Sequence, residues 1–223
     1  RSSAASDVYK RQGFFDCVAY SGTGGGDFTL KHSLGVAPEL LILKPRSSGA
    51  NYSGAWHVWH SSFGHAQTGA SLLLNTSDAK TSINPVWGFD SDTISPIIRG
   101  GGAGEHNKSG INYISYLFAS LDGISKVGSY TGNGTSQTLD CGFSAGARFV
   151  LIKRTDASGD WYIWDTTRGI VAGNDPHLSL NTSAGQVTSD DSVDPANSGF
   201  IVNQVSATNI NVSSGTYIYY AIA

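Results

Sequence analysis

Short apolar and β-branched runs, separated by clusters of Gly, Pro, Asn and Ser, recur along the whole chain. Residues 39–44 (ELLILK) and 148–153 (RFVLIK) are continuous apolar runs of strand length, which is typical of central strands covered on both faces. No window of 11 or more residues shows convincing helical periodicity. The pattern therefore predicts an all-β protein.

The last apolar run of each half alternates with a period of two. In the first half Ile114, Tyr116 and Phe118 fall on one face of the predicted strand. The same face recurs in the second half, where it carries Ile218, Tyr220 and Ile222. We expect this shared face to be the core face in both halves.

The chain contains two copies of one sequence pattern, with a period of about 105 to 110 residues. Each copy predicts about seven or eight short strands, enough for a two-layer sandwich. Several anchors recur in the same order: residues 20–24 match 130–134, 40–44 match 149–153, 56–60 match 161–165, and 74–77 match 180–183.

The duplication predicts two antiparallel β-sandwich units, over residues 13–121 and 127–223, with a short join between them. One alternative stays open at this point. The two copies could instead form a single lectin-like sandwich with pseudo-twofold symmetry.

The first twelve residues are set aside as non-native. Residues 2–12 resemble, letter for letter, the in-frame translation of a DNA adapter used in transposase-based sequencing libraries. The chain contains no Met and ends inside an apolar run at Ala223. We therefore expect a fragment, as a metagenomic read would give.

The composition argues against several classes of protein, among them nucleic-acid-binding and membrane-spanning proteins. Charged residues make up 14% of the chain, against about 25% in typical domains. The formal net charge is −3, which does not favour nucleic acid or an acidic membrane surface as a partner. No run of about 18 apolar residues is present to cross a membrane. Cys17 and Cys141 are expected to be small buried hydrophobic residues.

Motifs that suggest catalysis or metal binding have simpler explanations here. Residues 142–146 (GFSAG) match the nucleophile motif around Ser144, but a strand follows where that chemistry needs a helix. His57 and His60 differ by an odd number, so on a strand they point to opposite faces. We predict no enzyme activity, no catalytic residues, no metal and no cofactor.

Trp56 and Trp161 occupy equivalent positions in the two copies. Their rings could form an aromatic platform that stacks on a sugar. Because both copies retain the tryptophan, packing in the core is the interpretation we favour. The platform remains a second hypothesis.

A glycine-rich loop over residues 99–108 distinguishes the first copy from the second. Its ends carry Arg99, Glu105, His106 and Lys108, which could contact a receptor. The alternative is a surface insertion without a partner.

Five segments of the second copy, in order, resemble the repeat domain of tail-fibre-like proteins of marine bacteriophages: YTGNG, FVLIKRTDASGDWYIWDTTRG, LSLNTSA, NSGF and SSGTYIYYA. The first copy departs from this pattern at residues 51–54, inserted before its Trp, and in its glycine loop.

The resemblance implies a place in the virion and a structural or host-adhesion role, with other tail-fibre segments as partners in a homotrimer. It brings no catalytic or metal residues with it. The alternative function is a lectin-like carbohydrate-binding module that recognises bacterial surface polysaccharide.

Overall fold

A computed structural model describes residues 13–25, 28–47, 54–64, 70–82, 86–97 and 106–223. Every regular element in these ranges is a β-strand, apart from one three-residue 3-10 turn, Ser61–Phe63. The all-β prediction is confirmed. Among the described residues, no helix is long and apolar enough to cross a membrane.

The chain forms two compact units. Unit 1 contains the described residues up to Leu73 together with Thr81–Ala119. Unit 2 contains Ser120–Ala223 together with Leu74–Lys80, a piece of the first copy's sequence. We call Leu74–Lys80 the linking segment. The sequence did not predict that the linking segment belongs to unit 2.

Unit 1 has two antiparallel sheets. The larger has the strand order β1-β9-β3-β4-β5-β6 and the smaller has the order β2-β8-β7. The strands are β1 (Phe15–Ser21), β2 (Leu30–Lys31), β3 (Leu40–Pro45), β4 (His57–His60), β5 (Ala70–Leu73), β6 (Thr81–Ser82), β7 (Val86–Phe89), β8 (Thr93–Ile97) and β9 (Asn112–Phe118).

Unit 2 repeats this topology, with sheets β10-β17-β12-β13-β14 and β11-β16-β15. Its strands are β10 (Ser125–Thr131), β11 (Ser136–Asp140), β12 (Phe149–Arg154), β13 (Trp161–Asp165), β14 (His177–Ser179), β15 (Val193–Ala196), β16 (Gly199–Asn203) and β17 (Thr216–Ile222). The runs ELLILK and RFVLIK form the inner strands β3 and β12, as predicted.

The core of each unit lies between its two sheets. In unit 2, Val150 and Trp164 from the larger sheet form one buried cluster with Phe200 and Val202 from the smaller sheet. In unit 1, the ring of Trp59 on β4 lies 4.1 Å from that of Phe89 on β7, measured between centroids. These contacts between facing sheets are those of a β-sandwich.

The core face of β9 and β17 differs from the one predicted. In β9 the buried residues are Tyr113, Ser115 and Leu117, while the predicted face is half-buried. In β17 the core cluster takes Tyr217, Tyr219 and Ala221, again the opposite face. Both faces of these strands carry large apolar side chains, so alternation alone could not identify the inner one.

Each unit also contains the same tyrosine pair at the end of its first strand. Tyr20 stacks on Tyr113 with ring centroids 4.9 Å apart, and Tyr130 stacks on Tyr217 at 4.8 Å. The Tyr20 hydroxyl donates to the carbonyl of His106 at 2.6 Å, and the Tyr130 hydroxyl to the equivalent carbonyl at 2.6 Å. The pair ties the first strand to the loop before the last strand.

A buried asparagine completes this corner in both units. The Asn107 side chain accepts from the amide of Thr23 at 2.7 Å, and the Asn211 side chain accepts from the amide of Asn133 at 3.0 Å. Both Asn107 and Asn211 are fully buried. Each asparagine therefore satisfies a backbone amide at this corner.

Candidate functional site

The linking segment is held in unit 2 mainly through its backbone. The carbonyl of Ser77 accepts from the amide of Gly159 at 2.9 Å and from Nζ of Lys153 at 3.0 Å. Further along, the amide of Lys80 donates to the carbonyl of Thr155 at 2.9 Å. These contacts do not depend on which side chains the segment carries.

The receiving residues in unit 2 are Lys153, Gly159 and Trp161, which we call the lysine–tryptophan site of that unit. Lys153 and Trp161 face each other across β12 and β13, which brings the ammonium group 6.0 Å from the ring centroid. Lys153 is fully buried and also donates to the carbonyl of Gly159 at 2.5 Å.

Burial has the largest effect on the pKa of Lys153. It lowers the pKa of the ammonium group to about 8, against a smaller opposing effect of Asp160 and Asp78. Asp78 belongs to the linking segment, which therefore brings a carboxylate as well as a carbonyl toward the buried cation.

Unit 1 has the same arrangement at Lys44, Gly54 and Trp56, which form its own lysine–tryptophan site. Nζ of Lys44 donates to the carbonyl of Gly54 at 2.5 Å and lies 5.2 Å from the centroid of the Trp56 ring. Here, however, both side chains are only half-buried.

The second copy repeats the linking segment at residues 180–186, and the two share the sequence LNTS. The amide of Leu180 donates to the carbonyl of Trp161 at 2.8 Å, and the Asn181 side chain accepts from the Trp161 amide at 2.9 Å. The segment is therefore fixed at its start. Residues 182–186 are all exposed, whereas Thr76 and Ser77 of the linking segment are half-buried.

The predicted aromatic platform requires a correction at one of its two positions. Trp161 has 1% of its surface exposed, so its ring does not offer a face to a sugar. Trp56 is half-buried, with Nζ of Lys44 over its ring. The sequence alone could not distinguish them, because the same residues surround both positions.

The predicted receptor loop is described only at its C-terminal end. Arg99 and Glu105 lie outside the described residues. His106 is 1% exposed, and its ring lies 4.5 Å from that of His57. Lys108 is half-buried, and its amide hydrogen bonds to the hydroxyl of Tyr113 at 3.0 Å. The prediction that His106 reaches a receptor is therefore wrong.

Burial also keeps this histidine pair neutral. The pKa of His57 is lowered to about 4 by burial. The pKa of His106 is lowered by burial and, secondarily, by His57. Among the residues that the structure describes, no three His, Cys, Asp or Glu side chains form a group able to hold a metal ion.

The nucleophile motif around Ser144 lies in the loop between β11 and β12, as the sequence predicted. Its flanking residues Gly142 and Gly146 have positive φ angles of 72° and 79°, which is a turn geometry. The two cysteines are free thiols. Cys141 is buried, but Cys17 is exposed on β1, contrary to the expectation for it.

Comparison with known proteins places the chain by family. A family model described as a domain of unknown function, DUF7483, matches residues 2–223. The chain belongs to the DUF7483 family. The match spans both copies and the linking segment, and it also includes residues 2–12. No curated protein and no solved structure matches the chain.

A buried polar cluster in the second half of this DUF7483 chain was missed by sequence reasoning. Asp175 is fully buried, and its Oδ1 accepts from the amides of Ser192 at 2.7 Å and Val193 at 3.2 Å. Burial raises its pKa to about 7. Nδ1 of His177 lies 3.5 Å from Oδ1 of Asp190, which accepts from the Ser192 hydroxyl at 2.7 Å.

The order of contacts in this cluster does not fit nucleophilic catalysis. A catalytic serine donates its proton to a histidine, which a carboxylate then orients. Here the Ser192 hydroxyl donates to the carboxylate of Asp190 instead, and it accepts from the hydroxyl of Thr208 at 2.8 Å. The cluster satisfies the buried amides of Ser192 and Val193, while Oδ2 of Asp175 and Nδ1 of His177 are buried without a hydrogen-bond partner among the described residues.

Proposed function

We propose that this DUF7483 chain is a non-enzymatic structural module of a bacteriophage tail fibre. Its place is the virion, and its partners are other tail-fibre segments in a homotrimer. The proposal combines the tail-fibre resemblance of the second copy with the way the two copies are joined.

The linking segment is the observation that carries the proposal. Leu74–Lys80 contributes a carbonyl that binds two donors of unit 2, so the first copy's sequence completes the second copy's fold. A module built in this way suits a structural role, because pulling Leu74–Lys80 out of unit 2 would break the hydrogen bonds of Ser77 to Gly159 and Lys153.

Labelling of virions tests the proposal. Antibodies raised against the folded 223-residue chain are applied to phage particles encoding the gene, and bound antibody is located by electron microscopy. We expect label on tail fibres. Label absent from intact virions, in a preparation where an antibody against a capsid protein does bind, would overturn the assignment.

The second candidate function is a lectin-like or host-adhesion role, favoured by Trp56, which is only half-buried and lies beside Lys44. An aromatic face beside a lysine suits a sugar that carries an acidic group. Binding of the chain to a panel of bacterial polysaccharides and whole cells tests it. Trp56→Ala should abolish binding, while Leu180→Ala, at an exposed position of unit 2, should not. Binding by neither protein nor variant rejects this candidate.

A further inference from the structure

We propose that a second copy of this chain binds to unit 1, with residues 180–186 of that copy placed on Lys44, Gly54 and Trp56 as the linking segment is placed on unit 2. The partner is thus the same polypeptide. The inference goes beyond the proposed fibre role and does not depend on it, because it rests on contacts observed within this chain.

The first support is the chemical match on both sides. The receiving residues Lys44, Gly54 and Trp56 are identical in type and order to Lys153, Gly159 and Trp161. In both sites the lysine ammonium already binds the glycine carbonyl at 2.5 Å and lies beside the tryptophan ring. The lysine is therefore held in the position that binds the serine carbonyl of the linking segment in unit 2.

The incoming segment also matches. Residues 180–183 repeat the LNTS sequence of the linking segment, and its contacts are made by backbone groups. The carbonyl of Ser183 corresponds to that of Ser77, and the amide of Gln186 to that of Lys80. Neither needs a side chain that the second copy lacks.

The second support is the difference in burial between equivalent residues. Lys153 and Trp161 are 0% and 1% exposed, while Lys44 and Trp56 are half-buried. On the other side of the contact, residues 182–186 are exposed, and Leu180 has 44% of its surface exposed. The chain thus presents both halves of one interface, on different units.

An interface of this kind joins two different surfaces, so successive chains add in the same direction. Three chains that close on themselves give the homotrimer expected from the sequence, and an interface that does not close gives a filament. In either case residue 186 of one chain lies near residue 46 of the next, since Lys80 bonds to Thr155 in unit 2.

The contact between chains should be weaker than the internal one. The linking segment carries Asp78, which acts on the buried Lys153, but the second copy has Ala184 at that position. Adding the carboxylate by Ala184→Asp should therefore strengthen the association, an outcome that a contact elsewhere on the surface would not give.

Cross-linking between two differently marked chains tests the contact directly. Both chains carry Cys17→Ser to remove the exposed thiol. One carries Arg46→Cys and the other Gln186→Cys, both at exposed positions. After mixing with a short bismaleimide, we expect a product of twice the chain mass. Each marked chain alone should give none, because the interface joins unlike surfaces and the remaining Cys141 is buried.

Sedimentation measurements on the full chain give the energetics. Lys44→Met should weaken association about tenfold, through loss of a charged donor. Ala184→Asp should strengthen it about threefold, as expected of a partly screened ion pair. Lys31→Met, at an exposed lysine of β2, controls for the change in net charge and should leave association unaltered.

Three outcomes would overturn the proposal: a monomer at every concentration measured, equal cross-linking when either marked chain is treated alone, or association that Lys44→Met leaves unchanged. Virion labelling is independent of these results. Failure of the fibre assignment and failure of self-association can therefore be told apart.

Discussion

In unit 2 the linking segment lies over Lys153 and Trp161, and both residues are almost completely buried, whereas in unit 1 Lys44 and Trp56 remain half-buried. The geometry of the lysine, the glycine carbonyl and the ring is otherwise alike. Identical residues therefore have different environments because of what packs on them. Both copies contain the lysine–tryptophan site, and in unit 2 the linking segment packs on it.

The largest effect expected from this difference is on stability. Trp161→Ala should lower the free energy of unfolding of unit 2 by ~3–5 kcal/mol, the usual cost of removing a buried aromatic ring. Trp56→Ala should lower that of unit 1 by only ~1–2 kcal/mol, because less area is buried. Hydrogen exchange measured peptide by peptide reports the two units separately. Equal losses would remove the distinction between the sites.

Two matched glycine variants test a close backbone contact that the two units share. A Cβ at Gly22 would overlap the carbonyl of Lys108, and one at Gly132 would overlap that of Val212. Gly22→Ala and Gly132→Ala should each cost ~1–3 kcal/mol of unfolding free energy.

Gly25 and Gly185 serve as controls, since an added Cβ meets no atom within 4 Å at either position. Chemical denaturation followed by circular dichroism measures all four variants. A large loss at Gly22 with none at Gly132 would show that the tyrosine corner supports only one unit.

Acid should destabilise unit 1 through His57. Its folded pKa of about 4 lies below the unfolded value of 6.5, so the unfolded chain binds more protons between these values. Stability from this group is therefore present above pH 6.5 and is lost as the pH falls toward 4. At pH 5 the loss should be on the order of 1–2 kcal/mol.

The phenylalanine variant His57→Phe should remove this part of the pH dependence in unit 1. Tyr162→Phe, at the equivalent position of unit 2, should leave the acid response of that unit unchanged. Denaturation series at several pH values from 4 to 7 provide the test. An unchanged slope in His57→Phe would show that the acid response comes from other groups.

Alkaline pH should give an effect of similar size in unit 2, where stability again rises with pH. The folded pKa of Lys153 is about 8 against 10.5 unfolded, so the unfolded chain again binds more protons between these values. Stability from Lys153 should therefore rise with pH, by ~1–2 kcal/mol between pH 8 and 10. Buried tyrosines act in the opposite direction at high pH, since burial raises the pKa of Tyr219.

A comparison of wild type with Lys153→Met isolates the contribution of Lys153 to the pH dependence of stability, because both proteins contain the same tyrosines. The difference in unfolding free energy between wild type and variant should grow in favour of wild type as the pH rises from 8 to 10. Lys31→Met controls for the lost charge. A difference that stays constant with pH would contradict the burial of a titrating ammonium group.

The sequence predicted the strands well where the pattern was unambiguous. Continuous apolar runs identified β3 and β12 as inner strands, and the repeated anchors predicted two units. Tertiary contacts decided the rest. Tyr113 and Ser115 form the core side of β9 although Ile114 is more apolar than Ser115, because stacking and backbone pairing place them there.

The site was only half predictable. Trp56 and Trp161 were recognised, but nothing in the sequence LNTS indicates that the first of its two occurrences packs against the other copy. His106 is polar and follows a glycine-rich stretch, which favours exposure, yet the His57 ring covers it. The lysine at the end of each apolar run was the one available signal for a buried cation.

The linking segment also sets an order of events during synthesis. Ser77 leaves the ribosome 82 residues before Gly159, its hydrogen-bond partner in unit 2. At about 5–20 residues per second, the segment waits roughly 4 to 16 seconds for its partner to be translated. During that interval another nascent chain on the same messenger can offer its finished second half instead. Polysome spacing thus becomes a factor in whether the copies pair within one chain or exchange segments between neighbours.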